Sequence, residues 1–197
     1  RSNVALAVGH TERFNPAVEA ARPLLTAPRF IEGHRLGTFP DRSLDIDVVF
    51  DLMIHDIDLV LELVGSEVVG IEAVGVPVLT HRVDIANARL RFASGLIANL
   101  TASRVSVEKT RKFRVFAPRT YVSADFTARE SQVYRLEADE SGRPRIATAR
   151  HAALDQEPLR LQLEAFAGAV RDRSRPVVSG TEGRRALALA HAILARM

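Results

Sequence analysis

Five polar side chains recur along one otherwise apolar stretch of the sequence, D-V-V-F-D-L-M-I-H-D-I-D-L-V-L-E-L-V at 47–64. At about 100° per residue, a helix places five of them within an arc of roughly 80°: Asp47, Asp51, His55, Asp58 and Glu62. Asp56 alone lies opposite this stripe. A helix that is apolar elsewhere is buried on most sides, so its charged stripe must meet water or line a cleft. A solvated face remains an alternative, but four acids without a Lys or Arg partner weaken it.

Asp51 and His55 are four residues apart, which is the spacing of neighbours on one helix face. The carboxylate can hold one ring nitrogen while the other nitrogen faces a reactant, so the pair predicts an oriented general base. A nearby carboxylate raises the pKa of a histidine and burial lowers it, and we expect the balance to leave His55 near neutrality. A metal site formed by Asp51, His55 and Asp58 is less favoured because a histidine-rich ligand set is missing, and none is predicted.

Composition limits the other classes of protein. The chain has 197 residues, 47 % hydrophobic and 26 % charged, which fits one or at most two globular domains. It has no cysteine, which excludes disulfides, cysteine-ligated zinc, iron–sulfur clusters and thiol nucleophiles. A net charge of +3 does not call for nucleic acid, and no apolar run is long enough for a membrane span. We expect a cytoplasmic protein.

The elements that position the stripe follow from local signals. Asn15-Pro16 predicts a helix start, with the helix reaching about Leu25, and Gly65 stops the long helix. From Glu67 to about Ile146 the pattern is β, and the last two helices start at Pro158 and at a capping box. The predicted fold class is α+β, an open and mostly antiparallel sheet with helices packed on one face. The predicted strands are 30–39, 86–92, 96–107, 112–117, 121–126 and 132–137, with a polar turn at 139–144; the capping box is Ser179 and Glu182.

One compact basic cluster stands out among scattered arginines: Lys109, Arg111, Lys112 and Arg114. Without interleaved aromatic residues, a solvated strand end is favoured over a phosphate-binding stripe. None of the eleven glycines forms a G-x-G pair, so the sequence contains neither the dinucleotide fingerprint nor a phosphate loop. Since the first residue is Arg1, we interpret the chain as part of something longer.

Two segments match a known family, V-G-H-T-E-R-F-N-P-A-V at 8–18 and V-V-F-D-L-M-I-H-D-I-D-L-V at 48–60. They resemble the C-terminal domain of the glucose-fructose oxidoreductase, inositol dehydrogenase and rhizopine catabolism (Gfo/Idh/MocA) family of NAD(P)-dependent sugar oxidoreductases. Further likeness extends over nearly the whole chain, at 28–37, 83–92, 99–104 and 161–166. The likeness is strongest to a branch that oxidises the 3-hydroxyl of a UDP-N-acetylhexosamine on a route to lipid A.

The resemblance implies a Rossmann domain that is absent from this sequence. Residues 1–10 would be the last strand of that nucleotide-binding domain and a linker, and residues 11–197 the C-terminal substrate-binding domain. NAD or NADP would be bound mainly by the missing domain, so we expect this fragment to be inactive alone. The family's lysine has no counterpart here.

The resemblance also implies roles for particular residues. The family's Asp and His fall on Asp51 and His55, so that His55 accepts the proton of the sugar hydroxyl and Asp51 orients its ring. His10 is the candidate to face the nicotinamide. Arg13 and Arg35 are candidates to hold a diphosphate.

The remaining predictions concern other polar residues and partners. Asp47 and Asp58 are candidates to receive sugar hydroxyls, and Asn15 is favoured as a helix cap over a substrate ligand. The other histidines are interpreted as structural or solvent-exposed: His34, His81, His151 and His191. We expect a homodimer or homotetramer through the open sheet face. The alternatives are a non-catalytic oligomerisation module and a metal-dependent hydrolase.

Overall fold

The computed structural model describes residues 4–22, 27–152 and 156–197, which form one eight-stranded sheet with helices on one face. In chain order the strands are β1 (Phe30–Leu36), β2 (Val68–Val76), β3 (Ile85–Phe92), β4 (Ile97–Ser103), β5 (Thr110–Ala117), β6 (Thr120–Asp125), β7 (Glu130–Ala138) and β8 (Pro144–Ala152). The helices are α1 (Pro16–Ala21), α2 (Ile54–Val64), α3 (Pro158–Arg171) and α4 (Gly180–Leu194).

The first strand lies in the middle of the sheet, whose order is β2-β3-β4-β1-β5-β6-β7-β8. Strand β1 runs parallel to β4 and antiparallel to β5, and every other neighbouring pair is antiparallel. The predicted open, mostly antiparallel sheet is therefore confirmed. Helices α2 and α4 pack together over the β2–β4 end, while α1 packs against β6 and β7.

Alternation along the strands separates the two faces. On β3 the residues Ala86, Ala88, Leu90 and Phe92 are buried beneath the helices, while Asn87 and Arg91 on the opposite side are exposed. This period of two is what a sheet with one covered face requires.

The long helix predicted over 47–64 begins differently from expectation. Residues Val49–Met53 form a π-helical turn, and the regular helix α2 follows, ending at Gly65 with a left-handed φ of 58°. Gly65 is thus the C-terminal stop that the sequence predicted, because a residue without Cβ adopts this conformation at little cost. The π turn matters for the site because it has i→i+5 hydrogen bonds, which change the angular offset between residues on either side of it.

Several boundaries differ from the predictions. The sequence does not predict β8 as a separate strand, because Ile146 and Thr148 are its only residues of the β-branched and aromatic types that signal a strand. Strands β1 and β4 end before the predicted 39 and 107, and α1 ends at Ala21, with residues 23–26 outside the described ones. Residues 4–8 form only an isolated bridge from Ala7 to Ser179.

The capping box that opens α4 is confirmed. The Ser179 side chain accepts from the backbone of Thr181, and the Glu182 carboxylate accepts from the Ser179 backbone N–H at 2.8 Å. No helix in the described part of the chain is both long and apolar enough to cross a bilayer.

Candidate active site

Two histidine rings meet edge to face at the centre of the candidate site. The ring centroids of His10 and His55 are 5.7 Å apart with an interplanar angle of 87°. His10 is 4 % exposed, and within the described residues neither of its ring nitrogens has a hydrogen-bond partner. The Nδ1 atom of His55 is also buried without a partner. Each buried nitrogen left without a partner costs about 1–3 kcal/mol, so the pair is expensive unless a ligand completes it.

One arginine–aspartate pair holds the His10 side of the site. His10 precedes a short 3-10 helix, Thr11–Phe14, whose residue Arg13 is buried. The Arg13 guanidinium donates to both carboxylate oxygens of Asp58 on α2, at 2.6 and 3.0 Å. Two parallel hydrogen bonds between charged groups fix distance and orientation together, so this pair fastens the segment that carries His10 to the helix that carries His55.

A second pair fastens α2 to the central strand. Arg35 of β1 donates to the two carboxylate oxygens of Asp56 at 3.2 and 2.8 Å, and its third nitrogen donates to Glu12 at 3.0 Å. Burial alone disfavours the charged form of Arg35, but the two carboxylates outweigh burial and raise its pKa. Asp56, which the sequence places opposite the polar stripe, is buried against Arg35 of β1.

These two pairs change the picture of the predicted substrate ligands. The side chains of Arg13, Arg35 and Asp58 were expected to face substrate, and each is buried in an internal ion pair. The sequence signal for these two ion pairs is the pattern D-x-D at 56–58. Two carboxylates buried on one helix each need a cation as a partner.

The predicted Asp51–His55 hydrogen bond is not formed within the described residues, because Nδ1 of His55 has no partner. Asp51 lies in the π-helical turn, where four-residue spacing no longer gives α-helical stacking. The expected near-neutral balance is also wrong. Burial first, and then the charges of Arg35, His10 and Arg111, lower the pKa of His55 to about 4 against the opposing charge of Glu12.

Asn15 and Asp47 serve the backbone. The Asn15 Oδ1 atom accepts from the Ala17 backbone N–H at 3.0 Å, so its assignment as the cap of α1 is confirmed. Its amide nitrogen donates to Glu12 at 3.0 Å, which links the cap to the Arg35 network. Asp47 accepts from the backbone N–H of Val83 at 2.8 Å and thereby ties the start of the π turn to the loop before β3.

The other histidines lie elsewhere. His81 and His191 are exposed, and the His191 ring packs on Phe50 at 4.8 Å between centroids. His34 is partly buried on β1, and the side chain of His151 lies outside the described residues.

A metal centre is not assembled in the described part of the chain, where no group of three or more His, Asp or Glu residues is placed to hold an ion. Asp58, one of the three candidate ligands, is paired with Arg13 instead. Donor and acceptor nitrogens are left unpaired in the described part of the chain at His10, beside His55, and their chemistry suits a polar group such as an amide.

Comparison with known proteins places this geometry in context. The family model described as the GFO/IDH/MocA C-terminal domain matches residues 27–122. The chain is 40 % identical over 192 residues to UDP-N-acetylglucosamine 3-dehydrogenase of Acidithiobacillus ferrooxidans, an alignment that covers 95 % of this chain and 61 % of that protein. The chain therefore spans about three fifths of the length of this relative.

Solved structures show the same fold. A structure of the Acidithiobacillus ferrooxidans UDP-N-acetylglucosamine 3-dehydrogenase superposes with a TM-score of 0.91 at 38 % identity, covering 98 % of this chain and 63 % of that one. Levoglucosan dehydrogenase in complex with NADH and levoglucosan has a TM-score of 0.82 at 18 % identity, covering 98 % and 64 % of the two chains. The second likeness is one of fold alone.

Proposed function

Since the chain carries the C-terminal domain of the GFO/IDH/MocA family, we propose that it is the substrate-binding and catalytic-base domain of an NAD(P)-dependent dehydrogenase. The substrate in this proposal is a UDP-N-acetylhexosamine, oxidised at its 3-hydroxyl. The observation that carries it is the His10–His55 pair, held between two buried arginine–aspartate pairs and left with unsatisfied nitrogens. Similarity to a UDP-N-acetylglucosamine 3-dehydrogenase supports the substrate class.

His55 is the proposed proton acceptor. With its pKa lowered to about 4 by burial and by Arg35, the ring is neutral at pH 7, which is the state a base requires. Its Nε2 atom is neither buried nor hydrogen-bonded within the described residues, so this nitrogen is open to take the proton of a sugar hydroxyl. Asp51 is proposed to orient the ring once substrate binds, since catalytic hydrogen bonds are often completed only in the complex.

The nicotinamide cofactor supplies the acceptor for the hydride that leaves the carbon bearing that hydroxyl. His10 is the residue of this chain proposed to contact the nicotinamide. The sequence has no glycine-rich phosphate-binding loop, so the phosphates of the cofactor are proposed to bind a nucleotide-binding domain outside these residues. This chain by itself should then give no calorimetric signal with NAD or NADP, and micromolar binding would contradict that division. The predicted cytoplasmic location is part of the same proposal.

The test of function uses the full-length protein that contains this chain. It is given UDP-N-acetylglucosamine, free glucose or myo-inositol with NAD or NADP, and absorbance of the reduced nicotinamide is followed. We expect turnover with the nucleotide-sugar and little with the free polyols. Turnover with a free polyol alone would refute the substrate class and leave the roles of His55 and Asp51 standing.

A second proposed function of this domain is self-association through the open face of the sheet. A row of aromatic rings stacks there across four strands. The ring centroids are 5.5 Å apart for Phe30 and Phe116, 4.8 Å for Phe116 and Tyr121, and 5.3 Å for Tyr121 and Tyr134. An apolar row of this kind on an uncovered sheet face suits a second copy of the same surface. We expect a dimer or tetramer by light scattering at tens of micromolar, and a shift to monomer for Tyr121→Asp; a monomeric wild-type protein would refute it.

A further inference from the structure

The basic cluster at the start of β5 divides into two kinds of residue. Lys112 pairs with Asp125 at 3.8 Å, and Arg114 pairs with Glu32 at 3.4 Å. Arg111 and Lys109 are exposed, and the described part of the chain offers neither side chain an ion pair or a hydrogen bond.

Strand register places Arg111 toward the candidate site. Arg111 is directly opposite Arg35 in the β1–β5 pairing, and the alternate residues Phe113 and Val115 are buried beneath the helices. Paired residues of neighbouring strands point to the same face, so Arg111, although exposed, lies on the face of the sheet that carries the helices. Its backbone carbonyl accepts from Phe126 at 2.9 Å, which fixes this part of the strand.

Two like charges directly opposite each other destabilise a sheet. Arg35 is neutralised by Asp56 and Glu12, whereas no acid in the described part of the chain forms an ion pair with Arg111. The charge of Arg111 acts on both His55 and Asp56. It lowers the pKa of the His55 imidazole and the pKa of the Asp56 carboxyl below the values that burial alone would give. A cation without an ion pair in the described part of the chain therefore lies close to the proposed base, whereas the two arginines expected to hold phosphate are engaged in internal ion pairs.

We propose that Arg111 binds the anionic diphosphate of the substrate and so directs the sugar hydroxyl toward His55. This inference rests on the proposed function and names the residue that selects a nucleotide-sugar over a free sugar. A guanidinium fork matches phosphate oxygens in bidentate geometry, and an anion at this position balances the charge of Arg111. Binding of the anion also removes a positive charge near His55, which strengthens this residue as a base at the moment the substrate arrives.

The experiment compares Arg111→Gln, Arg111→Lys and Lys109→Gln in the full-length protein. Lys109 is the matched control because it is an exposed cation two residues away without resolved influence on His55. For UDP-N-acetylglucosamine we expect Arg111→Gln to raise KM about tenfold or more with kcat nearly unchanged, because a charge-assisted phosphate contact is lost. Arg111→Lys should restore part of the affinity, and Lys109→Gln should behave as wild type.

Calorimetry with UDP, the probe for the diphosphate, should show the same order of affinities among the variants. An unchanged KM and UDP affinity in a normally folded Arg111→Gln, in a wild-type protein that does oxidise the nucleotide-sugar, would overturn the inference and leave the proposed function intact. An equal loss in Lys109→Gln would also overturn it, since any basic residue at this edge would then suffice. A wild-type protein that does not oxidise the nucleotide-sugar would refute the proposed function, and the inference with it.

Discussion

Two buried polar clusters at different places in the fold differ in whether their hydrogen bonds are complete. The first is centred on Asp84, which is wholly buried at the start of β3. Its Oδ2 atom accepts from three successive backbone N–H groups, those of Val78, Leu79 and Thr80, at 2.7–2.8 Å. Its Oδ1 atom accepts from the Thr80 hydroxyl and from Nε of Arg104 at 2.8 and 2.7 Å.

Arg104 completes this first cluster. The buried guanidinium also donates to the carbonyl of Ser43 at 2.7 Å, so the cluster ties together two loops and the end of β4. Burial opposes ionisation of Asp84, but its hydrogen bonds outweigh burial and hold the pKa of this carboxyl below its usual range. A carboxylate whose acceptor positions are all filled by the chain itself has no capacity left for a ligand.

The second cluster, His10 with His55, has three buried ring nitrogens without partners in the described part of the chain. The supporting arginines, Arg13 and Arg35, have carboxylate partners for their hydrogen bonds, whereas the two rings that they position lack partners. The contrast teaches that burial of charge does not by itself mark a site in this protein. For the His10–His55 pair it is the incomplete hydrogen bonding of buried rings that points to a ligand, because a partner there offsets the cost of the unpaired nitrogens.

The largest expected effect concerns the incomplete cluster. His55→Asn in the full-length protein should lower kcat by about two to four powers of ten, the usual contribution of a general base. The melting temperature should not fall, because within the described residues the ring makes no hydrogen bond that the variant would lose. Steady-state kinetics and thermal melts measure both quantities, and near-native turnover would show that another residue is the base.

Breaking the complete cluster should have the opposite signature. Arg104→Met leaves the carboxylate of Asp84 buried without its counter-charge, which should cost about 3–5 kcal/mol of the free energy of unfolding. Arg114→Met is the control, because the side chains of its pair with Glu32 are 34 % and 27 % exposed, against 2 % and 0 % for Arg104 and Asp84, and the pair should contribute less than about 1 kcal/mol. Urea titrations of this chain measure the difference, and equal losses in the two variants would contradict the comparison.

Acid should weaken the fold partly through the site. The pKa of His55 is about 4 in the folded protein against the ordinary histidine pKa of 6.5, so between these values the unfolded state binds more protons than the folded state. The free energy of unfolding therefore rises with pH across this window. The contribution of His55 to it is lost as pH falls from about 6.5 to 4. His55→Asn should flatten that slope relative to wild type in urea titrations at several pH values, and parallel curves for the two proteins would count against the low pKa.

The smallest expected effect is that of Asp51→Asn. Because no described hydrogen bond joins Asp51 to His55, we expect kcat to fall by less than about tenfold, which is far below the loss for His55→Asn. A loss as large as that of His55→Asn would show that the two residues act as one unit once substrate is bound.

Much of the fold could be predicted from local patterns. Alternation on β3 and β4, the Asn15 cap, the Gly65 stop and the Ser179 capping box each depend on residues close in sequence, and the structure contains them all. The π turn could not be predicted, because the apolar spacing of residues 49–53 suits an α-helix equally well. The weakly patterned β8 depends on β7 for its hydrogen bonds rather than on its own composition.

The sequence by itself determined which segments fold into strands and helices, and the motifs that point to His55, because those signals are local. Only the tertiary structure decided how the charges are shared. Arg13 meets Asp58 across 45 residues of sequence and Arg35 meets Asp56 across 21, and such partners are selected by packing of the 3-10 helix, β1 and α2. The same packing places Arg111 opposite Arg35 without an ion pair among the described residues, since a strand's register, and not its composition, decides which side chains face each other.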